Sequence, residues 1–181
     1  TDEKHQIAHA LDALGVDYIE GGWPGANPTD NAFFDTAPQT TARLTAFGMT
    51  KRPGISAQND DVLAAVLNAG TKSVCIVGKT HEFHVTKALG ITLEENLVLL
   101  RDSVAHLVAS GREALFDAEH FFDGYKSNPD YALECLKTVH DAGARWIVLC
   151  DTNGGTLPAE IGKITSEVIA AGIPGDHLGI H

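Results

Sequence analysis

Membrane-length apolar runs are missing. No stretch approaches the roughly 18 residues that a spanning helix needs, and the opening Thr1-Asp2-Glu3-Lys4 reads as helix rather than as a signal peptide. Positive charge is scarce. Thirteen Lys and Arg stand against 24 Asp and Glu, a formal net charge of −11 at pH 7. With no basic cluster, the chain lacks the footprint that neutralises nucleic-acid or lipid phosphates, so neither nucleic acid nor membrane is an expected partner. Cysteine is rare too. Cys75, Cys135 and Cys150 are odd in number, lie inside apolar runs and show no CxxC spacing, which argues against a disulfide framework or structural zinc site and suits a reducing cytoplasm. Phosphate-cradling glycine loops are absent as well: Trp23-Pro24-Gly25-Ala26-Asn27-Pro28 has neither GxGxxG nor GxxxxGK[ST] spacing.

What is present is enough apolar material for a core: 181 residues, 44% of them hydrophobic, with both charge signs interspersed. Helical stretches and short β-rich runs alternate from end to end, the pattern of a parallel sheet covered by helices. Thr1 or Asp2 caps a helix presenting Ile7, Ala8, Leu11 and Leu14 and stopped by Gly15. The strands expected are Val16 to Glu20, Arg43 to Phe47, Ser73 to Val77, Ala114 to Asp117, Trp146 to Cys150 and Leu178 to Ile180. Between them, helices are expected around Asn31 to Phe34, from Asp60 to Ala69, from Leu93 to Ala109, from Pro129 to Ala142 and from Pro158 to Ala171. No linker divides the array, so residues 1–181 read as one domain. A complete (β/α)8 barrel usually takes about 250 residues, so a barrel reading implies units missing at both ends.

Periodicity leaves open whether the sheet closes. The polar residues at the strand ends bear on it, because loops after the strands of a (β/α)8 barrel converge on one mouth. Those ends read Glu20-Gly21-Gly22, Gly48-Met49-Thr50-Lys51-Arg52, Gly78-Lys79-Thr80-His81, Glu119-His120, Asp151-Thr152-Asn153 and His181. Any one of them is ordinarily a solvated or capping residue. Together they set carboxylates, imidazoles and hydrogen-bonding groups where one ligand can meet them all.

Ile19-Glu20-Gly21-Gly22-Trp23-Pro24, Phe116-Asp117-Ala118-Glu119-His120-Phe121-Phe122-Asp123-Gly124-Tyr125-Lys126, Cys150-Asp151-Thr152-Asn153-Gly154-Gly155 and Gly179-Ile180-His181 resemble the citramalate synthases. These belong with the isopropylmalate and homocitrate synthases and hydroxymethylglutaryl-CoA lyase, which share a metal-dependent barrel. The resemblance implies an α/β fold, an incomplete (β/α)8 TIM barrel covering about strands two to seven. It implies Claisen-type condensation of acetyl-CoA, as co-substrate, with pyruvate, serving isoleucine and other branched-chain amino-acid synthesis. The alternatives are condensation with a larger 2-oxo acid, acyl-CoA cleavage, or a non-catalytic fragment.

Carried over residue by residue, the resemblance implies that His181 is the first histidine of a metal-binding His-x-His pair, holding a divalent ion (Mg, Mn or Zn) that polarises the ketone. Glu119 assists substrate positioning or proton transfer, Thr152 hydrogen-bonds the 2-oxo-acid carboxylate, and Glu20 orients a catalytic arginine. That arginine and an adjacent metal-binding aspartate belong to an Arg-Asp-Gly motif that the sequence does not contain. A homodimer is the expected working form. His81 and His84 are spaced to share a helix face but read better as shaping the mouth. His5, His9, His106, His140 and His177 read as helix or loop surface without a role.

Overall fold

Strands that alternate with helices return to the same end of the sheet each time, so they pair in parallel. The computed structural model describes residues 2–181, and the capping expected of Thr1 lies outside the described residues. The order is α1 (Asp2–Leu14), β1 (Tyr18–Gly22), α2 (Pro28–Asp35), β2 (Arg43–Met49), α3 (Asp61–Asn68), β3 (Ser73–Lys79), α4 (Leu93–Ala109), β4 (Glu113–Glu119), α5 (Phe121–Ser127), α6 (Pro129–Asp141), β5 (Trp146–Leu149), α7 (Pro158–Ala170) and β6 (Leu178–Ile180). All six strands form one parallel sheet in chain order, a half-barrel.

Local chemistry fixes where the helices start. Asn27 caps α2, its side chain accepting from the Asp30 N–H at 2.9 Å, with Pro28 in the first turn. Asp60, expected inside a helix, instead caps α3 by accepting from the Val62 and Leu63 N–H groups. Thr92 and Glu95 bond reciprocally to each other's main chain ahead of α4, and Asn128 caps α6.

The period-2 alternation of strands separates two faces. Ala46, Val74, Ile76, Phe116, Ala118, Ile147 and Leu149 point to the helices and join Leu63, Val66, Leu100, Val104, Leu136, Val139 and Val168 in one continuous core. Each large side chain among them contributes about 1.5–3 kcal/mol by leaving water. The alternate residues Glu20, Thr45, Cys75, Lys79, Asp117 and Glu119 lie on the opposite, inner face. This is the mixed lining that the apolar strand reading concealed.

Four strands, β1 to β4, run two residues further at their C-terminal ends than their apolar runs suggest, since main-chain pairing continues through glycine and charged residues as well as apolar ones. Lys79 stands opposite Glu119 across the β3–β4 pair. The helix α5 was not anticipated. It is entered through His120, the one described non-glycine residue with positive φ (52°), and Gly124 within it lets the helix approach the β3 end: a Cβ there would lie 2.7 Å from the Thr80 carbonyl oxygen.

Candidate active site

Glu20 is set by a local irregularity. The β1–β2 register shifts between Glu20 and Gly22, and a Cβ on Gly21 would fall 2.5 Å from the Phe33 ring. The bulged strand therefore packs flush on α2 while Glu20 is turned to the inner face. There its carboxylate meets the Cys75 thiol from β3 and the Asp117 carboxylate from β4, with one ligand atom of each lying within 4.8 Å of the others.

The electrostatics of this group follow from crowding. Glu20 stays open to solvent, yet desolvation by the surrounding protein pushes its carboxyl above the usual range. Repulsion from Asp117 adds to this, and the Cys75 thiol and His181 offset part of it. Asp117 is raised for the same first reason, again eased by Cys75 and His181. Cys75 is 1% exposed, and its thiol is pushed well up by burial and then by the charges of Asp117 and Glu20. Cys150, just past β5, is pushed up to about 12 by burial and by Asp117, Glu119 and Glu20. These carboxylates therefore act on one shared space.

Around that space the other expected residues take different positions. Glu119 ends β4 in an ion pair with Lys79, while its carbonyl accepts from the Thr80 hydroxyl at 2.9 Å. Thr152 is exposed, and its Oγ1 accepts from the His120 N–H at 2.9 Å, tying the β5 loop to the start of α5. His181 follows β6. Its N–H donates to the Leu149 carbonyl at 3.0 Å and its carbonyl accepts from the Asp151 N–H at 2.8 Å. Glu20 and Asp117 both feel the His181 imidazole, whereas Glu119 and Thr152 are each engaged with a different neighbour.

Sequence reasoning singled out neither Asp117 nor Cys75, because Cys75 falls inside a strand run and Asp117 was counted as the last residue of one, ahead of the polar strand end Glu119-His120. The available signal was parity: Asp117 is two residues before Glu119, hence on the same face. His120 was also passed over. Its ring lies 4.5 Å from that of His84, which lies 4.9 Å from that of His81, so the mouth carries a row of three imidazoles. His84 is held below its ordinary value by desolvation and by the neighbouring charges of His120, His81 and Lys79. A cavity of about 490 Å³ lies at the opposite end of the strands. There the Glu113 carboxylate accepts from Tyr18 and Arg43, and Trp146 Nε1 donates to the Tyr18 oxygen at 3.0 Å. That network braces the sheet and contains none of the expected site residues.

No described helix is long and apolar enough to cross a membrane. In comparisons with known proteins, the chain is 48% identical to the (R)-citramalate synthase of Synechocystis sp. over 99% of its length and 34% of the relative's. It is 52% identical to that of Aquifex aeolicus over 92% of the chain and 32% of the relative. The 2-isopropylmalate synthase of Thermosynechococcus vestitus is more distant, at 31% over 90% of the chain and 30% of the relative. The chain thus spans about a third of the length of these curated relatives. Hydroxymethylglutaryl-CoA lyase from Pseudomonas aeruginosa superposes with a TM-score of 0.79 at 17% identity, covering 99% of the chain and 60% of that structure, a likeness of fold. The family description HMGL-like matches residues 1–181. The chain belongs to the HMGL-like family.

Proposed function

We propose that the protein containing these residues is an (R)-citramalate synthase, joining acetyl-CoA to pyruvate and releasing citramalate and CoA. The supporting observation is identity of 48–52% with five curated (R)-citramalate synthases, against 27–32% with 2-isopropylmalate synthases. In this reaction the acetyl methyl group loses a proton and its carbon attacks the pyruvate ketone carbon. The ketone oxygen takes up a proton, and water then cleaves the thioester to give a carboxylate and the CoA thiol. The product enters isoleucine synthesis in the cytoplasm. In this reading the six strands are strands two to seven of an eight-stranded barrel, and the working protein is a homodimer.

Thr152 suits the 2-oxo-acid carboxylate because a hydroxyl that accepts from the His120 N–H still has its own proton to donate. Glu119, held at the mouth by Lys79, positions substrate or transfers a proton. Glu20 has no cationic side chain bonded to it among the described residues, which fits a carboxylate that orients an arginine from outside them. His181, fixed through its main chain and exerting its charge on Glu20 and Asp117, suits a divalent ion of the Mg, Mn or Zn kind. That ion, with further ligands from beyond the described residues, supplies Lewis-acid polarisation of the ketone when bound.

The test is CoA release by the full-length protein supplied with acetyl-CoA and a series of 2-oxo acids. Pyruvate is expected to be preferred. Preference for 2-oxoisovalerate would replace the substrate with that of an isopropylmalate synthase, and cleavage of an acyl-CoA without condensation would make the protein a lyase.

A further inference from the structure

We infer that one side of α5 holds Thr152 in place at the mouth, with Asp123 and Lys126 as the positioning residues; the inference rests on the assignment of Thr152 to the 2-oxo-acid carboxylate. The loop that carries Thr152 needs such a brace. Residues 152–155 are all exposed and include Gly154 and Gly155, so their own packing does little to keep a hydroxyl in one direction. Helix α5 meets this loop at three points. The His120 N–H donates to Thr152 Oγ1 at 2.9 Å, Asp123 Oδ2 accepts from Asn153 Nδ2 at 2.7 Å, and Lys126 Nζ donates to Thr156 Oγ1 at 3.1 Å. Residues 120, 123 and 126 are spaced by three, so they follow one side of the helix and meet residues 152, 153 and 156 in order.

The brace is itself anchored. Phe121 and Phe122 are fully buried, and Gly124 packs against the Thr80 carbonyl at the β3 end, so α5 is fixed on the side away from the loop. The far end of the loop is closed as well. Thr156 is buried, and its N–H and hydroxyl donate to the Asp151 carboxylate at 3.0 and 2.9 Å. Lys126 thus acts on the anchored end of the loop, and Asp123 acts on the residue next to Thr152. His120 is the strained member of the set. Its positive φ of 52° is a conformation that a non-glycine residue adopts at a cost, and through it α5 begins two residues after β4 ends at Glu119, with the residue 120 amide bonded to Thr152. A hydroxyl whose oxygen is held by that amide keeps its proton for substrate, and the Asp123–Asn153 bond limits the directions in which that proton can point.

The test is a double-mutant cycle in the full-length protein, read as KM for its preferred 2-oxo acid at saturating acetyl-CoA. Asp123→Ala and Lys126→Met change partly or fully exposed side chains, and each is expected to raise that KM by roughly threefold to tenfold. The KM for acetyl-CoA and kcat should change by less than about twofold, since the lost contact orients only the 2-oxo acid. Asp123→Asn, which keeps an acceptor for Asn153, should restore the KM. In a Thr152→Val background, where the hydroxyl is gone, Asp123→Ala and Lys126→Met should add nothing further. Wild-type KM in both single variants, or effects that multiply independently of Thr152, would overturn the positioning role while leaving Thr152 as a substrate contact. An unchanged KM in Thr152→Val alone, or no turnover of any 2-oxo acid, would remove the assignment of Thr152 and this inference with it.

Discussion

At the scale of single residues, Thr152 has two sides to its hydroxyl, and one of them is already engaged. Its oxygen accepts from the His120 N–H at 2.9 Å in an exposed setting, so Thr152→Val lets water replace the lost acceptor and costs about 1 kcal/mol or less in stability. The other side, the hydroxyl proton, is the one assigned to the substrate carboxylate. A hydrogen bond to a charged group is worth about 1.5–3 kcal/mol, so Thr152→Val is expected to raise KM for the 2-oxo acid by roughly tenfold to a hundredfold with little change in melting temperature. Thr152→Ser should restore KM. A residue that only braced the loop would leave KM unchanged in both variants. The place of Thr152 at a strand end was legible in the sequence because it follows a β-rich run, while the role assigned to it came from the family resemblance. Asp117 and Cys75 were not legible, because an acid or thiol inside a short strand reads as part of the run until the two faces are told apart.

At the scale of elements, the start of α3 depends on one carboxylate. Asp60 is fully buried and accepts from the Arg52, Val62 and Leu63 N–H groups as well as from the Arg52 guanidinium. Desolvation alone would raise its pKa, but the bonds from the Arg52 main chain and side chain and from the first turn of α3 outweigh it and hold the carboxyl below its usual range. A lowered folded value means the stabilisation is fully present above the unfolded value of about 3.9 and is lost as pH falls through the folded one. Asp60→Asn keeps a cap but cannot titrate. In urea denaturation, the wild-type advantage over this variant should therefore be constant near neutrality and shrink below about pH 4; an advantage that persists into strong acid would rule out this role. Asp60→Ala is expected to cost about 0.5–2 kcal/mol at pH 7. Caps of this kind are read from sequence within a residue or two, which is why Asp60 was first placed inside the helix it precedes. Helix α5 was not legible at all, because its seven residues include a glycine and its N-cap His120 has no side-chain cap bond.

At the scale of the whole molecule, one continuous core joins the helices to the sheet, and the cysteines sample both faces of that sheet, Cys135 lying in the core and Cys75 on the inner face. Cys75, Cys135 and Cys150 are buried and unpaired. Burial pushes the Cys135 and Cys150 thiols up to about 12 and Cys75 well above its ordinary value, so almost no thiolate exists at pH 8 in the folded state. A disulfide-exchange reagent should therefore label all three slowly and with one common rate, accelerating together across a single denaturation transition. Position-resolved mass spectrometry measures this, and one cysteine labelling far ahead of the others would show that its side of the sheet opens before the rest. The order of the strands was legible in outline because each strand, and every helix but α5, announces itself by period. The inner face was not, since its polarity depends on which residues of each strand point away from the helices.

The strand order has a further consequence for how the protein is made. Each of the six described strands has its neighbours in the chain as its neighbours in the sheet, so within this sheet no strand must wait for a distant segment before it can pair. As the chain emerges from the ribosome, β1 and β2 can associate under α2 while β5 is still being translated, and every later unit finds a finished edge to join. The same feature keeps loop closures short at each step. Assembly can follow the direction of synthesis, and a pause in translation between units would leave a shorter sheet of the same design rather than a misthreaded one.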